Sequence, residues 1–288
     1  MRFGSKIMGQ MKITITGGKG GTGKSMIAAA LAVELAKNNK VLLVDADVDC
    51  PNDHLILGIK RKKIKEVYQA KPVWDFKKCI KCGKCSEACR ANAIVFVKEK
   101  YPIFVPDLCI GCNACRIVCP TNAIGKGKQQ IGMIYSGNSH GVDLVTGEMA
   151  IGYEEAGPVV NALKEHIAGI KKKYDYVLID TAAGAHCNVI SALIGCNRAI
   201  GVTEPTPLGQ YDLELILQLA DTLKIPIDIV LNKAGIGSKK LIKDIAKKHK
   251  TSIIAEVPYK KEIIEAYSKG IPIKEKGILD IAKWLQKQ

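Results

Sequence analysis

The 288-residue sequence has no apolar run long enough to cross a membrane. No stretch reaches the roughly 18 apolar residues that a spanning helix requires, and the first ten residues, MRFGSKIMGQ, lack the apolar core of a signal peptide. We therefore expect a cytoplasmic protein that does not associate with membranes. Met8 and Met11 are alternative starting points, so the sequence does not decide whether residues 1–10 belong to the native protein.

Acidic residues are also scarce. The chain has 28 Asp and Glu against 43 Lys and Arg, a formal net charge of +15, and ten of the basic residues lie between Lys60 and Lys84. Aromatic residues make up only 5%, and no arginine-rich or aromatic-interleaved segment typical of nucleic-acid binding is present. We therefore expect no nucleic-acid partner. The basic run is either a lysine-rich solvated face or a docking surface for an acidic partner protein.

The chain does have a phosphate-binding loop. Residues 18–25 match the pattern G-x-x-x-x-G-K-[ST], residues 12–16 before them are typical of a strand, and residues 26–36 after them are typical of an Ala/Leu helix. In such a loop the backbone N–H groups face the phosphates, the lysine reaches the β- and γ-phosphates, and the hydroxyl ligates Mg²⁺. The sequence thus predicts an ATP and Mg²⁺ site formed by Gly18, Gly20, Gly21, Thr22, Gly23, Lys24 and Ser25.

Two further strand patterns end in acidic residues. Residues 40–44 are continuously apolar and are followed by Asp45, Asp47 and Asp49, and the apolar run at residues 176–179 ends in Asp180, the Walker B pattern. Ligands bind at the carboxyl ends of the strands in open α/β sheets. Asp180 is therefore expected beside the Mg²⁺ ion. One aspartate would suffice to cap a loop, whereas three after a buried strand favour metal and water.

Eight of the eleven cysteines lie between residues 79 and 119, in two runs spaced C-x₂-C-x₂-C-x₃-C. This is the spacing of bacterial ferredoxins with two [4Fe–4S] clusters, in which the fourth cysteine of each run ligates the other cluster. Disulfides do not suit a cytoplasmic chain, and zinc ribbons do not use this repeat. We therefore assign Cys79, Cys82, Cys85 and Cys119 to one cluster, and Cys89, Cys109, Cys112 and Cys115 to the other.

The two cysteine runs form an internal repeat, CIKCGKCSEACRANAI and CIGCNACRIVCPTNAI, joined by a hairpin-like link over residues 94–105. Arg90 occupies the position at which the second run has Pro120. A positive charge beside a cluster should raise its reduction potential, so we expect two clusters of unequal potential.

The remaining pattern completes an α/β domain. Strands are predicted over residues 198–203, 227–231 and 252–255, helices over 158–170, 208–223, 239–248 and 278–286, and antiparallel strands of unassigned role over 132–135 and 142–151. We predict a doubly wound, mostly parallel sheet of the P-loop NTPase class. The ATPase domain would comprise residues 1–71 and 129–288, with an inserted α+β ferredoxin domain at residues 72–128.

The loop contains a second lysine, Lys19, and resembles the deviant P-loop of the MinD/Mrp class of ATPases, relatives of the nitrogenase iron protein. The resemblance covers nearly all of the chain. The family's switch I motif corresponds to the segment DADVDCPN that begins at Asp45, and the position of the insert between switch I and Walker B is itself specific. It implies an ATP-dependent homodimer in which Lys19 reaches the partner's nucleotide. It also implies that Asp47 orients the attacking water, and that Asp45 supports Mg²⁺.

Three more residues take roles from the same resemblance. Asp180-x-x-x-Gly184 resembles switch II, whose Gly184 amide would sense the γ-phosphate. Asn232 ends a strand as the base-contacting asparagine of this class does, although it is equally explained as a loop former. Cys187 lies seven residues after Asp180, where the nitrogenase iron protein has a cysteine that bridges a cluster between subunits. Two Cys187 thiolates would then meet at the dimer axis; the alternative is a small structural thiol, as for Cys50 and Cys196.

Three functions are compatible with these features. The first is an ATPase, with Lys19, Lys24 and Asp47 as catalytic residues, that gates electron transfer through the clusters to a partner protein or cofactor. The second is a cluster or metallocofactor carrier, disfavoured because Mrp relatives use a cysteine pair near the C-terminus and no cysteine follows Cys196.

The third function is a MinD-like positioning ATPase that binds membrane through an apolar stripe at Ile278, Leu279, Ala282 and Leu285. At helical spacing, such a stripe is more often part of the core. We favour the first function. The sequence does not identify the electron donor, the acceptor or any cofactor under assembly.

Overall fold

The computed structural model describes residues 10–153 and 155–288. In these residues the strands are β1 (Met11–Thr16), β2 (Val41–Ala46), β3 (Lys62–Trp74), β4 (Ile94–Val95), β5 (Ile103–Phe104), β6 (Ile124–Ser139), β7 (Val142–Met149), β8 (Tyr176–Thr181), β9 (Arg198–Thr203), β10 (Ile227–Ala234) and β11 (Ile253–Pro258). The helices are α1 (Lys24–Ala36), α2 (Asp53–Ile56), α3 (Lys84–Glu87), α4 (Ala114–Ile117), α5 (Gly157–Ala168), α6 (Cys187–Leu193), α7 (Pro207–Thr222), α8 (Lys239–Lys248), α9 (Lys261–Ser268) and α10 (Lys276–Leu285).

Nine of these strands form one sheet in the order β11-β10-β9-β1-β8-β2-β7-β6-β3. The pairs from β11 to β7 are parallel, and the two pairs that involve β6 are antiparallel. Helices cover both faces of the central parallel strands, so most residues of these strands are buried. In β2, for example, Val41 and Leu43 join the core on one face, and Leu42 and Val44 join the core on the other. The predicted mostly parallel α/β sheet is confirmed.

The helices divide between the two faces. Helices α1 and α10 share one core, to which α10 contributes Ile278, Ile281, Ala282 and Leu285, all nearly inaccessible to solvent. Helices α5, α7 and α8 bury their apolar sides in the cores of the opposite face. Among the described residues, no helix combines the length and the apolar character needed to span a bilayer.

A long two-stranded arm extends the sheet beyond β7. Strands β3 and β6 pair antiparallel from Lys62↔Ser136 to Trp74↔Ile124, and β6 also pairs with β7. The antiparallel strand predicted at residues 132–135 lies within β6, and the one predicted at 142–151 is β7, which ends two residues earlier. Sequence reasoning missed β3. Its side chains are mostly exposed on both faces, so it lacks the apolar alternation by which strands are detected.

The cysteine-rich insert lies at the end of this arm. The predicted limits of the insert, 71/72 and 128/129, fall inside β3 and β6, so the arm is continuous with the sheet rather than joined to it by a loose linker. The three-part domain division stays a prediction. The hairpin-like link is present as the β4–β5 pair, in which Ile94 faces Phe104.

The two cysteine runs have the same backbone shape. Left-handed φ angles occur at Lys81 (56°), Gly83 (77°) and Asn92 (52°) in the first run, and at their repeat equivalents Gly111 (71°), Asn113 (62°) and Asn122 (50°) in the second. Glycine and asparagine tolerate this region best. The sequence repeat is therefore also a structural repeat.

Candidate functional site

The phosphate-binding loop joins β1 to α1, as the sequence predicts. Two of its glycines are required by close packing: a Cβ on Gly18 would lie 2.2 Å from the Asp212 carbonyl oxygen, and one on Gly23 would lie 2.2 Å from Asn232 Nδ2. Gly23 also has φ 92°. By contrast, nothing lies within 4 Å of a Cβ built on Gly20 or Gly21. The loop is thus fixed at its two ends and open at its tip.

Asn232, at the end of β10, holds the loop from behind. Its Nδ2 donates a hydrogen bond of 2.7 Å to the Thr22 carbonyl oxygen, and both residues are buried. This contact gives Asn232 a role in shaping the loop. The base-contacting role that the sequence suggested stays a prediction.

Lys24 is buried at the start of α1. Its Nζ donates to the Lys19 carbonyl oxygen at 3.1 Å, so the ammonium group is folded back over the loop. Burial lowers the pKa of Lys24, and the carboxylates of Asp180 and Asp47 act in the opposite direction. The side chain that is expected to reach the phosphates is therefore held in place by the loop itself.

Three aspartates converge beside this lysine. Asp45 on β2 and Asp180 on β8 are register partners in adjacent strands, and Asp53 at the start of α2 joins them, with one carboxylate oxygen of each within 4.8 Å of the others. All three are inaccessible to solvent. Burial raises the pKa of Asp180 to about 7 and that of Asp45 well above its usual range.

The two other acids of the switch I segment lie further out. Asp47 is half-buried, and desolvation raises its pKa. Asp49 is exposed. The structure therefore places Asp45 and Asp180 together as predicted, leaves Asp47 at the edge of the cluster, and adds Asp53.

Lys19 does not extend freely from the loop. Its Nζ lies 2.7 Å from Glu204 Oε1, and Lys233 Nζ lies 2.9 Å from Glu204 Oε2. Glu204 is buried at the end of β9 and also accepts a 3.2 Å hydrogen bond from Thr206 Oγ1. Desolvation alone would raise the pKa of Glu204, but the hydrogen bonds and charges of Lys19 and Lys233 outweigh it and lower this pKa. In a single chain, the second lysine is therefore held by its own subunit.

Gly184 follows the Walker B strand at φ 93°. Its N–H donates to the Gly17 carbonyl oxygen at 3.1 Å, so the predicted γ-phosphate sensor is hydrogen-bonded to the start of the P-loop. Any sensing by Gly184 requires this bond to Gly17 to open.

Ser25, in the first turn of α1, is half-buried.

The eight cysteines of the insert line two cavities, in the grouping that their spacing predicts. The wall of the first contains Cys79, Cys82, Cys85 and Cys119. The wall of the second contains Cys89, Cys109, Cys112 and Cys115.

The polar groups around the two cavities are also related by the repeat. The Ala93 amide donates to Cys89 Sγ at 3.3 Å, and the Ala123 amide donates to Cys119 Sγ at 3.2 Å. The cavities differ in charge, however. Lys81 and Lys84 line the first, whereas none of the described residues that line the second is charged.

The remaining three cysteines are separate from these cavities. Cys187 is exposed at the start of α6, Cys50 is exposed in the loop after β2, and Cys196 is half-buried. The dimer-axis role of Cys187 stays a prediction.

Sequence reasoning missed two residues of the nucleotide end. Glu204 was detectable by the rule that identified Asp180, because it directly follows a buried parallel strand. Asp53 carried no such signal, because a loop separates it from β2.

Comparisons with known proteins agree with this geometry. Residues 13–273 match the family model described as the CobQ/CobB/MinD/ParA nucleotide binding domain. The chain belongs to this family. An uncharacterized protein of Methanocaldococcus jannaschii is 34% identical over 263 residues, which are 90% of each chain. The septum site-determining protein MinD of Thermotoga maritima is 26% identical over 280 residues, 94% of this chain and 83% of MinD.

Solved structures show the same fold. MinD of Pyrococcus horikoshii in complex with Mg-ADP superposes with a TM-score of 0.61 at 22% identity and covers 96% of both chains. The MinC:MinD complex of Aquifex aeolicus gives 0.58 at 20% identity, again covering 96% of both chains. The protein is thus an ATP-binding, MinD/ParA-like P-loop ATPase.

Proposed function

We propose that this MinD/ParA-like ATPase is an iron–sulfur protein in which the nucleotide state of a homodimer gates electron transfer through two [4Fe–4S] clusters to an acidic partner protein. The observation that supports it best is the pair of cavities, each walled by one predicted quartet of cysteines. The insert would then be a ferredoxin module.

The donor set of each cavity fits a [4Fe–4S] cluster. Such a cluster is held by four thiolates and is tuned by hydrogen bonds to sulfur, and each cavity offers four cysteines and a backbone amide directed at one sulfur. Clusters bound in these cavities would accept and donate single electrons. Lys81 and Lys84 beside the first cavity would raise its cluster's potential relative to the second. Arg90, which the sequence pointed to, is absent from both walls.

The arm supports a mechanical link between nucleotide and clusters. Only five residues, 57–61, separate α2, which carries Asp53, from β3, and β3 runs directly into the insert. In the second half of β3, Gln69 Nε2 donates to the Cys109 carbonyl oxygen at 2.6 Å. A change in the switch I segment would therefore be transmitted to the second cysteine cavity without crossing a flexible linker.

Iron quantitation with matched cysteine variants tests the assignment. The reconstituted chain should hold about eight Fe, Cys119→Ser should lose the cluster of the first cavity, and Cys187→Ser should leave the iron content unchanged. Equal losses in both variants, or zinc in place of iron, would contradict the ferredoxin assignment.

The gating step needs a kinetic measurement. Reduced protein should be mixed anaerobically with oxidised flavodoxin, an acidic acceptor, in nucleotide-free, ADP and ATP-analogue forms, and cluster reoxidation followed by absorbance. We expect the ATP form to differ several-fold from the other two. Equal rates in all three would refute gating while leaving the cluster assignment intact. Transfer of radiolabelled iron to an apo-protein under ATP would favour the carrier function instead.

The relatives named MinD favour a second candidate, a positioning ATPase that binds membrane in its ATP form. The last helix argues against its membrane step, because the apolar side of α10 packs on α1 in the core, and Leu279 alone of the stripe is more than a third exposed. Vesicle flotation decides this question: ATP-dependent flotation would support the positioning function.

A further inference from the structure

The three buried aspartates form a cluster that the family's nucleotide chemistry alone does not explain. Asp45 and Asp180 suffice to support a nucleotide-bound Mg²⁺, yet Asp53 places a third carboxylate within 4.8 Å of both. Neither oxygen of Asp53, nor Asp45 Oδ1, has a hydrogen-bond partner among the described residues. The one polar contact inside the cluster is the Asp53 backbone N–H, which donates to Asp45 Oδ2 at 3.1 Å.

A buried carboxylate without hydrogen bonds is costly unless a cation or a proton neutralises it. Lys24 favours the charged form of Asp180, but its Nζ donates to the Lys19 carbonyl oxygen rather than to Asp53. Carboxylate oxygens are the ligands that Mg²⁺ and Ca²⁺ prefer, and two oxygens on opposite sides of these ions lie roughly 4.2 and 4.8 Å apart. The spacing of the cluster is compatible with one divalent ion.

We propose that Asp53 is the third carboxylate ligand of a divalent-cation site, with Asp45 and Asp180, that fills before any nucleotide binds. One divalent ion would reduce the charge of the cluster from −3 to −1, and Lys24 would offset the remainder. If the nucleotide function proposed above holds, this ion is in position to meet the incoming phosphates. Nucleotide would then join a metal already in place instead of delivering it.

The test is Mn²⁺ binding to the full-length chain without nucleotide, after EDTA treatment and desalting, with free Mn²⁺ measured by electron paramagnetic resonance. We expect one Mn²⁺ per chain, and at least a tenfold weaker affinity in Asp53→Asn. Asp49→Asn is the matched control, since it removes the same charge from an exposed position in the same loop, and it should change the affinity by less than about threefold. An unchanged affinity in Asp53→Asn would overturn the proposal.

Thermal unfolding separates this site from a cluster neutralised by protons. In EDTA, Asp53→Asn should raise the melting temperature because it removes one of three carboxylates that are buried against one another without a cation. Added Mn²⁺ should stabilise the wild type but not the variant. A lower melting temperature in EDTA would mean that Asp53 is a protonated structural residue and would refute the proposal. The variant Lys24→Ala distinguishes failure of the cation site from failure of the proposed nucleotide function, because it should lose nucleotide binding and keep Mn²⁺ binding.

Discussion

Substitution of Glu204 by glutamine should promote ATP-dependent dimerisation. Lys19 must leave Glu204 if it is to reach a partner's nucleotide, and this ion pair, at 2.7 Å, joins a side chain that is 26% exposed to one that is 7% exposed. A hydrogen bond to a charged group contributes about 1.5–3 kcal/mol to the net free energy. Because Lys19 is partly solvated, the lower value applies. Losing this ion pair then corresponds to a roughly tenfold change in the dimerisation equilibrium for each Lys19 that is released.

Sedimentation velocity with Mg²⁺ and a non-hydrolysable ATP analogue measures the effect. The dimer dissociation constant of Glu204→Gln should fall at least tenfold. Glu214→Gln is the matched control, because it removes a carboxylate that pairs with Lys248 on the surface, and it should leave the constant unchanged.

A double variant completes the test. If Glu204 acts by holding Lys19, then Glu204→Gln should have no effect in a Lys19→Ala background, since coupled residues are not additive. A weaker dimer in Glu204→Gln, or an equal effect in both backgrounds, would refute the reasoning and would instead place Glu204 in the interface.

Further predictions concern single residues of the nucleotide site. Lys24→Ala should abolish nucleotide binding or turnover and keep the cluster absorbance, because P-loop and insert are separate modules; loss of both in a folded variant would contradict that modularity. Asp47→Asn should still bind ATP and Mg²⁺, but it should hydrolyse ATP 10²-fold or more slowly, as expected when a positioned base is removed. A normal rate of phosphate release would show that another residue orients the attacking water. Asn232→Ala should weaken ATP affinity about tenfold in calorimetry, because it removes the buried bond to the Thr22 carbonyl oxygen; unchanged affinity would show that the loop holds its shape without it.

The sequence predicted correctly those parts of the fold that a single local pattern determines, such as an apolar run or a regular cysteine spacing. Strands β2 and β8 are buried on both faces, so their sequences are apolar runs, and the acidic residues at their ends located Asp45 and Asp180. The cysteine quartets followed from spacing alone. In the strands, the residues that decide the structure are neighbours along the chain, whereas each quartet also needs one cysteine of the other run, which the repeated spacing identifies.

The parts that were missed depend on contacts between distant segments. Strand β3 exists because β6 pairs with it, not because its own pattern is strand-like. The pairing of Lys19 with Glu204 joins residues separated by 185 positions in the chain. The short helix α2 is likewise set by its surroundings, and Asp53 is part of the acidic cluster only because α2 turns back toward β8.

The position of β3 at the outer edge of the sheet gives its lysines a second importance. An edge strand presents unpaired backbone groups to which another chain can add, and proteins commonly prevent such addition with lysine and proline. Strand β3 carries Lys62, Lys63, Lys65, Lys71 and Pro72 along this edge. The same charges that would attract an acidic partner would therefore also protect a nine-stranded sheet from aggregation, and replacing them to weaken docking should lower solubility as well.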